Sequence, residues 1–71
     1  MNTLFVDRRG ITLKADAQSL TVHESGARIQ TVPLAPLKRI FIHSDVMLDS
    51  GLLGVLGERG IGMVVMSGSA D

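Results

Sequence analysis

Seventy-one residues provide for one domain, and a chain of that size buries only about 60% of the surface its unfolded form exposes. Hydrophobic residues are 45% of the chain and mean hydropathy is +0.32, so some apolar surface is expected to face a partner. Seven basic residues balance seven acidic ones, only two aromatic residues (both Phe) are present and cysteine is absent, which argues against an independent nucleic-acid binder and excludes disulfides, thiolate zinc sites and cysteine nucleophiles.

Thr3 to Val6 is a short apolar run closed by Asp7-Arg8-Arg9-Gly10, whose aspartate and glycine supply turn chemistry. Ile11, Leu13 and Ala15 then alternate with Thr12 and Lys14, the period-two pattern of a half-buried strand, and the two runs read together as a hairpin. Asp16-Ala17-Gln18-Ser19 breaks the chain before Leu20 and Val22, which alternate with Thr21 and His23. Glu24-Ser25-Gly26 turns it again into Ala27, Ile29 and Thr31, a further strand reaching Val32. Breaks at this cadence suit a β-meander or small roll.

Pro33 and Pro36 bracket a loop, because proline cannot donate to a ladder and biases its predecessor away from helix. Lys38 to His43 is the clearest strand, with Ile40 and Ile42 on one face and Phe41 and His43 on the other. After the Ser44-Asp45 break, Val46 to Leu48 leads into a helix opened by Asp49 and Ser50, whose oxygens suit the free amides of a first turn. Leu48, Leu52, Leu53, Val55 and Leu56 give it an apolar face, and Gly60 stops it. Gly51, Gly54 and Gly57 each cost the helix roughly 1 kcal/mol against alanine, so they are read as close approach of its backbone to a sheet or a partner helix.

Ile61 to Met66 follows as a strand buried on both faces, and strand, helix and strand at this spacing suit a crossover unit, with an antiparallel placement left open. Ser67 to Asp71 has linker composition. The expected fold is α+β, mainly β: a small roll or sandwich of short strands over residues 1–66 with one helix between the last strands. Residues 67–71 are a linker or the start of a truncated region.

Little here points to chemistry. His43, Asp45 and Asp49 form the one tight cluster of metal-capable side chains, but turn and cap duties explain the two aspartates equally well. A metal-dependent hydrolase built on these three residues is therefore a minor reading. Gly51-Leu52-Leu53-Gly54 matches a bare G-x-x-G, yet two leucines offer a phosphate nothing. Neither a nucleotide-binding glycine motif nor a G-x-S-x-G elbow occurs. Arg8-Arg9 and Lys38-Arg39 are candidate phosphate contacts, and each pair also looks like an ordinary solvated turn or strand end. No apolar stretch approaches a membrane span and the N-terminus lacks a signal-peptide layout, so a cytoplasmic chain is expected.

The order and spacing of TLFV, TVHE, VPLAPLKRIFI and LLGVLGERGIGMVVMS resemble the N-terminal β-domain of the CRISPR-associated integrase, the first-numbered Cas protein of spacer acquisition. The resemblance covers nearly all of the chain and rests on structural motifs. It implies a homodimerisation domain of a two-domain enzyme that associates with the second-numbered Cas protein and inserts foreign DNA into the CRISPR array. The family's active site of glutamate, histidine and aspartate, which uses a divalent metal such as Mg or Mn, belongs to a helical C-terminal domain. His43 and Asp45 do not match those positions, so no catalytic or metal residue and no cofactor is assigned here.

Family members continue into a further short hairpin, so the chain reads as a fragment or truncated form. On this reading the domain is non-catalytic, with Ile40, Ile42, Gly51, Gly54 and Gly57 as candidate dimer contacts. The alternative is a free-standing small β-roll that binds nucleic acid.

Overall fold

Two sheets enclose the core in the computed structural model, which describes residues 2–66. The elements run β1 (Thr3–Val6), β2 (Ile11–Asp16), β3 (Ser19–Glu24), β4 (Ala27–Pro33), β5 (Arg39–His43), β6 (Met47–Leu48), α1 (Ser50–Arg59) and β7 (Gly62–Met66). One sheet is three-stranded in the order β1-β5-β7; the other is four-stranded in the order β4-β3-β2-β6. The mainly-β, one-helix class read from the sequence is the class observed. The expected linker, Ser67 to Asp71, lies outside the described residues.

The meander β2-β3-β4 forms as its turn residues dictate. Ser25 and Gly26 both have positive φ, at 53° and 81°, the backbone that lets a two-residue hairpin match the twist of its strands. Between β2 and β3, Ala17 takes φ 56° without glycine's freedom, a conformation that costs an L-residue roughly 1–2 kcal/mol. Leu20 and Val22 of β3 face inward, paired with Val32 and Gln30 of β4.

The first expected hairpin does not form. β1 pairs in parallel with β5, Thr3 opposite Arg39 and Phe5 opposite Phe41, while β2 belongs to the other sheet. Asp7 to Gly10 thus carries the chain from one sheet to the other. Leu4 and Val6 from one sheet and Ile11 and Leu13 from the other all reach the core. Met47 and Leu48, read as a lead-in, pair in parallel with Thr12 and Leu13 as a fourth strand. That pairing continues into the Asp49 amide, which donates to the Leu13 carbonyl at 3.2 Å.

The proline loop is part of the core. Leu34 and Leu37 are 1% and 4% exposed. The Leu34 amide donates to the Gln18 carbonyl at 3.0 Å and the Lys38 amide to the Asn2 carbonyl at 2.7 Å, so the loop is tied to both sheets.

α1 has the boundaries its caps predict. The Asp49 carboxylate accepts from the Leu52 amide at 3.0 Å, and Gly60 closes the helix at φ 67°. The Gly60 amide donates to the Gly57 carbonyl and the Ile61 amide to the Leu56 carbonyl at 2.9 Å, a paired closure that satisfies two orphan carbonyls. Leu52 and Leu56 are buried and Val55 is half-buried, whereas Leu53 is 48% exposed. The apolar face is narrower than the sequence pattern indicates.

The helix glycines do not approach any sheet. A Cβ on Gly54 or Gly57 would meet nothing within 4 Å, and one on Gly51 would meet only the Asp49 carboxylate at 3.2 Å. Gly54→Ala and Gly57→Ala are therefore each expected to stabilise the fold by up to about 1 kcal/mol, measured as a shift in the denaturant midpoint of the isolated chain. Gly51→Ala, crowding the cap, is expected to gain less.

β7 returns beside β5 in parallel, Phe41 opposite Val64, so the strand-helix-strand unit is the crossover kind. It is an edge strand and not one buried on both faces: Val64 and Val65 are 41% and 61% exposed. Ile61, just ahead of it, is the residue that enters the core at 8% exposure.

Candidate functional site

The residues singled out from the sequence do not converge. Arg8 donates to the Glu24 carboxylate, and Arg9 lies 3.6 Å from that of Asp45. Lys38 and Arg39 are exposed and have no carboxylate partner among the described residues. Because β1 and β5 are parallel with Thr3 opposite Arg39, Arg8-Arg9 and Lys38-Arg39 stand at opposite ends of one sheet. At about 3.3 Å per residue they are separated by roughly 16 Å. The two basic pairs make no continuous stripe, and the first is already matched by carboxylates.

The minor reading of His43, Asp45 and Asp49 as a metal cluster finds no support in the geometry. His43 Nδ1 accepts from the Asp45 amide at 3.0 Å, and Asp49 Oδ1 is committed to the Leu52 amide. Among the described residues no three His, Cys, Asp or Glu side chains stand close enough to hold a metal ion. The aspartates serve a turn and a helix cap, which removes the reading of His43, Asp45 and Asp49 as a hydrolase site. His23 and Glu24 likewise have strand-end partners, a hydrogen bond with the Thr21 hydroxyl at 2.9 Å and the ion pair with Arg8.

Ile40 and Ile42 correct a second expectation. They are 0% and 3% exposed inside the chain's own core, so neither is available to touch a second copy. The alternation that buries them turns Phe41 and His43 outward. The glycines Gly51, Gly54 and Gly57 are exposed on the outside of the helix.

What the structure does assemble is an apolar row on the outer face of the three-stranded sheet. Phe5, Phe41 and Val64 are direct neighbours across β1, β5 and β7. The two rings, the chain's whole complement of aromatics, stack at 4.8 Å between centroids and 11° between planes. Phe5 is 63% exposed and Val64 41%, and Met66 beside His43 extends the row. The sequence carried a signal for this face: TLFV and RIFI are apolar on both sides of the pleat, where a half-buried strand would alternate with polar residues.

One cleft of about 100 Å³ opens between β1 and the β3-β4 hairpin, lined by Leu4, Phe5, Val6, Ile11, Val22 and Ile29 among others. It is small beside the several hundred Å³ of ordinary ligand sites. No helix among the described residues is long and apolar enough to cross a membrane.

The described residues form a two-sheet α+β domain with a row of stacked aromatic and aliphatic side chains on one sheet face. Comparison with known proteins gives the family. The family model described as CRISPR associated protein Cas1 matches residues 4–71, and the chain belongs to that family. It is 32% identical over 68 residues to a CRISPR-associated endonuclease Cas1 of Thermodesulfovibrio yellowstonii, covering 96% of this chain and 21% of that relative. The chain thus spans about a fifth of the length of the curated relative it matches.

Two solved structures share the fold. A partial Cas6-RT-Cas1–Cas2 complex superposes with a TM-score of 0.87 at 15% identity, over 94% of this chain and 20% of the other. A Cas1 protein from Thermotoga maritima superposes at 0.78 and 21% identity, again over 94% of this chain and 21% of the other.

Proposed function

We propose that this chain is the non-catalytic, dimer-forming domain of a CRISPR adaptation integrase, holding two catalytic domains in register while they insert foreign DNA into a CRISPR array. The observation that carries this reading is the uncovered row of Phe5, Phe41 and Val64 on a sheet whose other face is the domain core. Six large hydrophobic side chains are exposed among the described residues. On a small domain with zero formal net charge such surface favours association.

The relative named an endonuclease extends well beyond the portion matched here, which supports placing catalysis, and its divalent Mg or Mn, outside this chain. The matched complex that contains Cas1 and Cas2 supports a Cas2 partner for the complete protein, acting on DNA in the cytoplasm. Lys38 and Arg39 lend at most a minor phosphate contact.

The DNA side of the proposal is tested by incubating the chain with linear and branched duplexes in Mg²⁺ or Mn²⁺ and by titrating labelled duplex across a salt series. The expected result is no cleavage or strand transfer, and weak binding that disappears by physiological salt. Tight binding with a steep salt dependence, the mark of several phosphate contacts, would instead support the free-standing nucleic-acid-binding module. Cleavage by the chain alone would contradict the non-catalytic assignment.

A further inference from the structure

We infer that the cleft between β1 and the β3-β4 hairpin is an anchor pocket for an extended segment of a partner protein. The segment adds as a short strand to the free edge of β4, sets one branched aliphatic side chain into the cleft and carries a basic residue beside it.

The two sheets are closed against each other unequally. On one side α1 connects the edge strands β6 and β7 and sends Leu52 and Leu56 into the core. β1 and β4 are the edges on the other side, and the cleft of about 100 Å³ opens between them. Its β4 wall is set by a bulge. Val22 pairs with Gln30 and His23 with Arg28, so Ile29 is the extra residue, and a bulge re-aims the side chains beside it. Ile29 and Gln30 consequently both line the cleft, opposite Leu4 and Val6. Ile29 remains 50% exposed. An apolar cavity of about 150 Å³ is enough for benzene, so this smaller cleft suits one aliphatic side chain and not a metabolite.

The edge beside the cleft selects an extended polypeptide as the occupant. Between the bulge and Pro33, residues Gln30, Thr31 and Val32 form the outermost strand of their sheet. An edge strand turns unpaired N–H and C=O groups outward, and an added strand satisfies them while its alternate side chains enter neighbouring pockets. Arg28 at one end and Pro33 at the other limit the addition to a few residues, which keeps the contact weak. Charge gives the flanking residue. Asp7 lines the cleft and has no ion-pair partner among the described residues, whereas Arg8 beside it is matched by Glu24. The mouth of the cleft therefore holds one uncompensated negative charge, which a lysine or arginine of the segment meets.

Titration of the labelled chain with the capped peptide Lys-Thr-Ile-Thr-Lys, followed by amide chemical shifts up to about 10 mM peptide, tests this. Saturable shifts confined to Leu4–Arg8 and Ala27–Val32 are expected. Replacing the peptide's isoleucine by serine, or N-methylating its amides, is expected to abolish them. Exchanging both lysines for glutamate is expected to weaken binding at least about fivefold at low salt. Asp7→Asn is expected to remove that preference for lysine with an unchanged melting temperature, and Ile29→Thr to weaken binding at least about threefold. No shift at the highest concentration would overturn the proposal. Shifts centred on Phe41 and Val64, or binding that the serine and N-methylated peptides retain, would overturn it equally.

Discussion

Ile40→Ala is expected to lower the stability of the chain by about 2–5 kcal/mol, enough to unfold a large fraction of it. Ile40 is fully buried on the central strand of the three-stranded sheet, between Leu4 of β1 and Met63 of β7. Truncation removes the transfer free energy of its methyl groups and leaves a cavity that a sheet fixed by register on both sides cannot close. A 71-residue domain has in total roughly 4–10 kcal/mol at the usual per-residue stability. The contrast with the next residue is the informative part. Phe41→Ser, on the opposite side of the same strand, where the half-buried ring stacks on Phe5, is expected to cost clearly less, about 1 kcal/mol for the lost stack. Equal losses at the two positions would mean that the outer face is also packed within the chain.

Leu52→Ala is expected to be nearly as severe, about 2–5 kcal/mol, for a different reason. α1 is a ten-residue helix with glycine at positions 51, 54 and 57, and helices this short do not persist in water without packing. Its anchorage is Leu52 at 0% and Leu56 at 4% exposure. Losing the first anchor therefore destabilises the helix itself as well as the core, and amide exchange in residues 50–59 should accelerate more than in β2 or β3. Gly54→Ala in the same background is expected to restore part of the loss. Uniform acceleration across the whole chain would show that the helix has no separate opening of its own.

The sequence was most readable where a residue's chemistry acts on its immediate neighbours. Asp49 and Gly60 mark the two ends of α1 because a cap is a local hydrogen-bond arrangement. Ser25-Gly26 marks a tight hairpin because both positions need positive φ. Asp7-Arg8-Arg9-Gly10 announces a reversal equally clearly, but nothing in a turn says which sheet receives the next strand, and β1 joins β5 across more than thirty residues of chain. The two-residue β6 is too short to show a period. Leu34 and Leu37 each follow a proline and look like loop residues, and they become core where Gln18 and Asn2 hold that loop down.

The uncovered sheet face was half legible for a related reason. Period-two alternation assigns Ile40 and Ile42 to one side of β5 and Phe41 to the other, yet both sides are apolar. Which side faces inward depends on where the second sheet lies. The excess of apolar residues pointed to a partner; Ile40 and Ile42 are buried, and the apolar side chains left on the other side of this sheet are those of Phe5, Phe41 and Val64. His43, Asp45 and Asp49 are adjacent in sequence but committed to separate backbone hydrogen bonds, and no spacing rule could have distinguished that from a ligand set.

The most direct test of the dimer-forming role is multi-angle light scattering of the purified chain from low micromolar to millimolar concentration, at low and at moderate salt. The account predicts a mass that rises smoothly from 7.6 kDa towards twice that value and stops there, with only modest weakening by salt because apolar burial drives it. A folded chain that holds its monomer mass across the whole range would contradict it.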